Sequence, residues 1–235
     1  MKHLTLFLAI ALIVTSCSKD EPTQIILKTA QITLNFEDTY QIEATANEEI
    51  EYTSKDEFNA TVDQDGLVTA GKVGETEIIL KVGGESKKLN VIVEAKNYFY
   101  SDPILTFGIS KKDVIKKLGK PSIEGSNAVL YDSYSNGVDN IMYSFENDKL
   151  KAVGVSVKKS YNYELLGYIL ERYELLSSDP IVFVNALTQN KVTMSIFITS
   201  LDAYSNFVVY FPYSSTKSAN LNTKTLSDQF KELIK

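Results

Sequence analysis

The chain has 235 residues, 44% of them hydrophobic, and its 30 acidic residues outnumber 24 basic ones for a net charge of −6. The one histidine, His3, and the one cysteine, Cys17, both lie near the N-terminus, so the rest of the chain cannot build a Ser-His-Asp triad, a Cys-His pair, a Cys/His zinc site or an internal disulfide. An acidic balance with a single arginine, Arg172, excludes the basic stripe of a nucleic-acid binder, while a glycosidase-like pair of acids stays chemically open.

Lys2 and the apolar stretch Leu4–Val14, interrupted only by Thr5, open the chain. The stretch is shorter than the roughly 20 residues of a membrane-spanning helix but suits a secretory signal. Val14-Thr15-Ser16-Cys17 follows it and resembles a lipobox, the motif of bacterial lipoprotein precursors. The resemblance implies cleavage before Cys17 and lipid on its thiol, and two or three acyl chains would make that attachment stable. Residues 1–16 then form a signal peptide and 17–22 a lipidated tether. Cleavage leaves 23 basic against 30 acidic residues, a net charge of −7. Ser18-Lys19-Asp20-Glu21 resembles the export signal of Bacteroidota-type surface lipoproteins, which implies an outer-membrane protein facing the cell surface, with the periplasmic face as the alternative.

Texture changes near Ala95-Lys96-Asn97: of 14 tyrosines only Tyr40 and Tyr52 come earlier. Two cores are expected, one over 23–95 and one over 97–213. In the first, apolar residues alternate at Ile42, Ala44 and Ala46, at Ile78, Leu80 and Val82, and at Leu89, Val91 and Val93, a period of two that puts one strand face into a core. Asp65-Gly66 between Ala60–Val62 and Leu67–Thr69 marks a hairpin. These short strands predict an all-β sandwich. Ile50–Ser54, Ala60–Gly71 and Gly74-Glu75-Thr76 together resemble the bacterial Ig-like domain of group 2, whose members serve as spacers or adhesive units and bring no catalytic residue. Asp63 and Asp65 read as turn residues, because Val68 and Ala70 stand where a calcium loop needs oxygen ligands.

The second half mixes helix and strand. Ser110-Lys111-Lys112-Asp113 is a capping box opening a helix with Val114, Ile115 and Leu118 on its apolar face, ended by Gly119 and Pro121. Strands follow at Ala128–Tyr131, through Ile141, Tyr143 and Phe145, and through Val153, Val155 and Val157, the last two joined at Asn147-Asp148. A second helix is predicted over 162–176, with Leu165, Leu166, Ile169, Leu170, Tyr173 and Leu176 on one face. Strands are then expected near 181–185, 192–199 and 207–211. This αβββ-αβββ order predicts an α+β domain, an antiparallel sheet with helices on one face. A tail, 214–235, is polar to Thr225 and ends in a short amphipathic helix carrying Leu226, Phe230, Leu233 and Ile234.

Phe107–Val114, Leu118-Gly119-Lys120-Pro121 and Tyr143–Leu150 resemble the tandem-repeat fold shared by the β-lactamase inhibitor protein and the SmpA/OmlA assembly lipoproteins. That resemblance implies action through a protein surface. Ser156-Val157-Lys158-Lys159 and Ser214-Ser215-Thr216-Lys217 match S-x-x-K, but neither opens a helix as the penicillin-interacting enzymes require. Asp132, Asn136, Asp139 and Asn140 suit a turn-rich loop better than a calcium site. No catalytic residue, metal or cofactor is therefore expected. Tyr131, Tyr134, Tyr161 and Tyr163 are the candidate binding surface, since tyrosine is favoured at interfaces. A protein partner is the preferred reading and a glycan the alternative.

Overall fold

The computed structural model describes residues 24–132, 135–213 and 219–233. The expectations for Cys17, Ser18, Lys19, Asp20, Glu21 and Tyr134 fall outside these.

Residues 25–94 are all strand and turn: β1 (Ile25–Leu27), β2 (Gln31–Asn35), β3 (Thr39–Gln41), β4 (Ala44–Ala46), β5 (Glu51–Ser54), β6 (Ala60–Val62), β7 (Leu67–Ala70), β8 (Gly74–Val82) and β9 (Glu85–Glu94). A four-stranded sheet, β2-β9-β8-β5, faces the three-stranded β3-β7-β6, and β1 pairs with β4. The alternating residues of β8 and β9 point inward as expected, so Ile78, Leu80, Leu89 and Val91 are fully buried with Val68 and Ala60 between the layers. The β6–β7 hairpin forms at Asp65-Gly66. Gly66 takes φ +78° with the Tyr52 ring against it, and the Asp63 carboxylate accepts from the amides of Asp65 and Leu67 at 3.0 and 2.8 Å. The run from Gln41 to Ala46 is not one strand, because the chain breaks after β3 and changes sheets before β4.

The remaining elements are α1 (Lys111–Leu118), β10 (Ile123–Glu124), β11 (Ala128–Asp132), β12 (Val138–Glu146), β13 (Lys149–Lys158), α2 (Asn162–Leu170), β14 (Glu174–Ser178), β15 (Ile181–Val184), β16 (Met194–Ser200), β17 (Ser205–Pro212) and α3 (Ala219–Leu233). All eight strands join one antiparallel sheet in the order β10-β11-β12-β13-β17-β16-β15-β14. The capping box is present: Ser110 Oγ accepts from the Asp113 amide and donates to its carboxylate at 2.7 Å. Gly119 ends the helix at φ +85°. Asn147 and Asp148 both take positive φ, which suits the right-handed twist of the strands they join.

Four expectations are corrected. The second helix stops at Leu170 and not at residue 176, because Glu174–Ser178 pairs with β15 and sheet pairing overrides the helical spacing of Tyr173 and Leu176. Each helix is followed by four strands, since the two-residue β10 and the edge strand β14 extend the sheet on either side. Helices cover both faces: α1 and α2 bury Val114, Leu165, Tyr168 and Ile169 on one face, while α3 seats Leu226 and Phe230 on the other against Leu130, Met142, Phe207 and Val209. The terminal helix is also longer than expected, starting at Ala219 inside the stretch read as polar tail. Among the described residues no helix is long and apolar enough to cross a membrane.

Packing at the sheet centre makes one position diagnostic. Gly154 in β13 lies under the Phe207 ring, and a Cβ there would come within 2.1 Å of the ring carbon Cζ. Gly154→Ala should lower stability by about 1–3 kcal/mol through overpacking, and adding Phe207→Leu should recover part of the loss. Urea unfolding midpoints of the single and double variants test this.

Candidate functional site

Tyrosines in the second half divide into two populations. Under α2 a buried group forms where Tyr168, Tyr100, Tyr173, Tyr143 and Tyr210 enter the core from α2 and the turn after it, from the segment leading to α1 and from strands β12 and β17. Four of the five hydroxyls are paired: Tyr100 with Tyr210 at 2.6 Å, Tyr168 donating to Asp102, and Tyr143 accepting from the Ile104 amide at 3.3 Å. Arg172 closes the group, its guanidinium 3.8 Å from the centre of the Tyr168 ring and 3.2 Å from the Asp102 carboxylate. Burial pushes Tyr143 up to about 12 and Tyr100, Tyr168, Tyr173 and Tyr210 higher still. These rings are a polar-tipped core and unavailable to a ligand.

The second population lies at one end of the sheet. β13 ends there at Lys158 and β16 at Ser200, and β12 and β17 begin there at Val138 and Ser205. A 3₁₀ turn, Lys159–Tyr161, leads straight into α2. Tyr161 stacks on Phe99 with ring centres 6.0 Å apart and lies over Gly137, where a Cβ would come within 2.4 Å of the ring. Tyr163, in the first turn of α2, is 87% exposed, and Tyr204, in the β16–β17 turn, is 82% exposed.

That turn is held rigidly. Asp202 Oδ1 accepts from the amides of Tyr204 and Ser205, both at 2.7 Å. The Lys159 ammonium donates to the carbonyl of Asp202 at 2.7 Å and to Ser200 Oγ at 3.0 Å. The Lys159 amide donates to the Tyr204 carbonyl at 2.8 Å, and Asn206 donates to the Asn162 side chain at 2.7 Å. The tip therefore presents two exposed phenol rings on a backbone already fixed, which reduces the ordering cost of binding.

Of the tyrosines singled out from sequence, Tyr161 and Tyr163 share this tip and Tyr131 does not. The Tyr131 hydroxyl donates to the Gly119 carbonyl at 2.9 Å, and its ring meets Tyr143 edge-on, so it fastens the end of α1 to the sheet. Tyr204 escaped the sequence reading. Its signal was present in Asp202-Ala203-Tyr204-Ser205, a turn-forming Asp between two strands, where an aromatic has no core to enter.

The acids weighed for catalysis or metal binding lie elsewhere. A surface hollow of about 460 Å³ on the N-terminal four-stranded sheet contains Asp56, Glu75 and Glu77. Glu77 contacts Lys55 at 2.5 Å and Lys88 at 3.3 Å, and the hydrogen bond from Lys55 holds its carboxyl below the usual range. A glycosidase's general acid needs the opposite shift. The acids read as part of a turn-rich loop lie in the strands on either side of it: Asp132, the last residue of β11, accepts from Ser122 and Asn140, and Asp139 in β12 pairs with Lys158. Among the described residues no cluster of acidic, histidine or cysteine side chains could hold a metal ion.

The buried tyrosines carry a pH signature. The folded protein keeps Tyr143 neutral until about pH 12, whereas the unfolded chain ionises it near 10. Stability from this site should be complete below pH ~10 and fall as the pH rises toward 12. Denaturation midpoints across that range, with tyrosinate absorbance followed in parallel, check the window.

No curated protein matches the sequence. Solved structures similar to it include domains 4–9 of the surface layer protein SbsC (14% identity, TM-score 0.29, covering 83% of this chain and 27% of that one). Domains 5–6 of the same S-layer protein give 14% identity and a TM-score of 0.27, covering 83% of this chain and 85% of that one. Human protocadherin-24 EC1-2 gives 10% identity and a TM-score of 0.26, covering 80% and 94%. The chain thus spans about a quarter of the first of these structures. Residues 13–93, which include β1 to β8 and all but the last residue of β9, match the family model of the bacterial Ig-like domain (group 2).

Proposed function

We propose that this is a lipid-anchored protein of the bacterial cell surface that acts by binding and not by catalysis. The Ig-like domain, 23–95, spaces an α+β domain, 97–213, away from the membrane, and the α+β domain carries the binding end. One observation supports this most: Tyr163 and Tyr204 are almost fully exposed on a tip whose backbone is already locked. That tip sits at the start of α2, while the end of α2 meets the Ig-like sandwich through Val73 and Glu171. Nine residues of helix put roughly 13 Å between the two ends, which sets the tip apart from the joint with the sandwich.

A protein partner is the preferred occupant. Leu166, one turn beyond Tyr163, is 47% exposed and extends the patch with apolar surface, and aromatic residues with an apolar surround are the composition of an interface core. The palindromic strand order, two meanders meeting at β13 and β17, is compatible with the resemblance to the tandem-repeat fold of proteins that act through their surfaces. A glycan is the second reading, favoured by the amide side chains of Asn162 and Asn206 next to the exposed rings. A photo-crosslinking residue at position 163 or 204 on whole cells should capture a protein band, while one at Lys81 on the outer face of the sandwich should not. Capture from Lys81 alone would make the Ig-like domain the adhesive unit; cross-linking only to polysaccharide would select the glycan reading.

The anchor is tested separately. Cys17→Ser should abolish metabolic labelling with a fatty acid, and label persisting on the variant would remove the lipobox reading.

A further inference from the structure

Sequence texture alone suggests a loose joint near Lys96-Asn97, yet the geometry there is that of a clamp. Glu171, the residue after the last turn of α2, is only 2% exposed. Its carboxylate accepts from the backbone amides of Lys96 and Asn97, both at 2.9 Å, and from the Asn97 side chain at 2.5 Å. All three of these donors come from the connection between the two halves. The Glu171 carbonyl in turn accepts from the amide of Val73, between β7 and β8, at 2.8 Å. Lys72 donates to the Leu170 carbonyl at 2.9 Å and lies 3.3 Å from Glu174. Arg172 reaches the Asn97 carbonyl at 3.3 Å, and the Asn97 side chain packs on Gly167, where a Cβ would come within 3.2 Å of it.

An α-helix leaves its last carbonyls without partners and favours a cation beside them. For α2 the Ig-like sandwich supplies both, an amide from Val73 and the ammonium of Lys72. A carboxylate buried this deeply is stable only while its hydrogen bonds are made, so each half holds the other in register.

We infer that Glu171 is a buried latch that locks the sandwich to the second domain, with the sandwich completing the C-terminal cap of α2. The two halves then act as one stiff arm, and the direction in which the tip projects is set at this joint. A second domain cut free at residue 97 loses the Val73 and Lys72 cap and should fray at the end of α2. The inference does not depend on what the tip binds.

Hydrogen exchange and small-angle scattering on the full chain test it. In the wild type the amides of Val73, Lys96 and Asn97 should be protected relative to the exposed Gly83-Gly84 turn. In Glu171→Ala they should exchange faster by about tenfold or more, as expected when buried hydrogen bonds to a charged group are removed. Protection inside β13 and β8 should be unchanged, and the scattering should broaden toward a distribution of inter-domain angles. Glu171→Gln, which keeps one acceptor oxygen, should fall between the two. Rapid exchange of the three amides in the wild type overturns the latch and needs no variant. Unchanged exchange and scattering in Glu171→Ala overturn it equally. If that variant fails to fold, Lys72→Met is read in its place, with faster exchange at Val73 and in the last turn of α2 expected and unaltered exchange counting against the latch.

Discussion

Pairing of β13 with β17 is the constraint on which the second half is built. Six residue pairs, from Val153–Tyr210 to Lys158–Ser205, join two four-stranded meanders into one sheet. Taken alone, each meander would have a free edge at the seam and only one helix to cover it, and unpaired edges and bare faces are costly in water. Joined, they create a central strip where both faces are apolar: Val153, Val155 and Tyr210 look toward α2, while Ala152, Val209 and Phe207 look toward α3. Gly154 belongs to the same design, because the close approach of Phe207 leaves no space for a side chain.

Legibility from sequence followed the range of the interactions. Short-range signals gave correct local structure: alternation in β8 and β9, the Ser110–Asp113 cap, the Gly119 stop and the Asn147-Asp148 and Asp65-Gly66 turns each encode their outcome within a few residues. Readings failed where a distant partner decided. Tyr173 and Leu176 continue the helical spacing of α2, yet pairing with β15 draws Glu174–Ser178 into the sheet. A helix over both faces could not be anticipated from α3 itself, since its apolar stripe fits any uncovered surface. Among candidate site residues Tyr163 and Tyr161 were recoverable as tyrosines near a turn, but nothing local separates them from Tyr131, whose hydroxyl is taken by Gly119.

Glu171 shows the same limit most sharply. In sequence it is an acid on what reads as the polar side of a helix, where a solvated position is the natural expectation. Its burial depends on Lys96 and Asn97, some 75 residues earlier, and those two read as an ordinary linker. The single arginine has a comparable history. Arg172 is scarce provision for binding phosphate, and the structure employs it internally, stacked on Tyr168 and paired with Asp102.

These features combine into one mechanical argument. On the function proposed above, a binding tip at the far end of a spacer would gain little from a rigid local backbone if the joint behind it swung freely, because orientational disorder would return as an entropic cost on association. Here both levels are ordered by the same helix. Lys159 and Asp202 fix the loops beside its first turn, and Glu171, Val73 and Lys72 fix its last. α2 is therefore the strut connecting the joint to the tip. Its packing face, with Tyr168 and Ile169 fully buried, resists any motion that would decouple them. Exposed residues on its outer side, Tyr163 and Leu166, can then vary in chemistry without disturbing the strut.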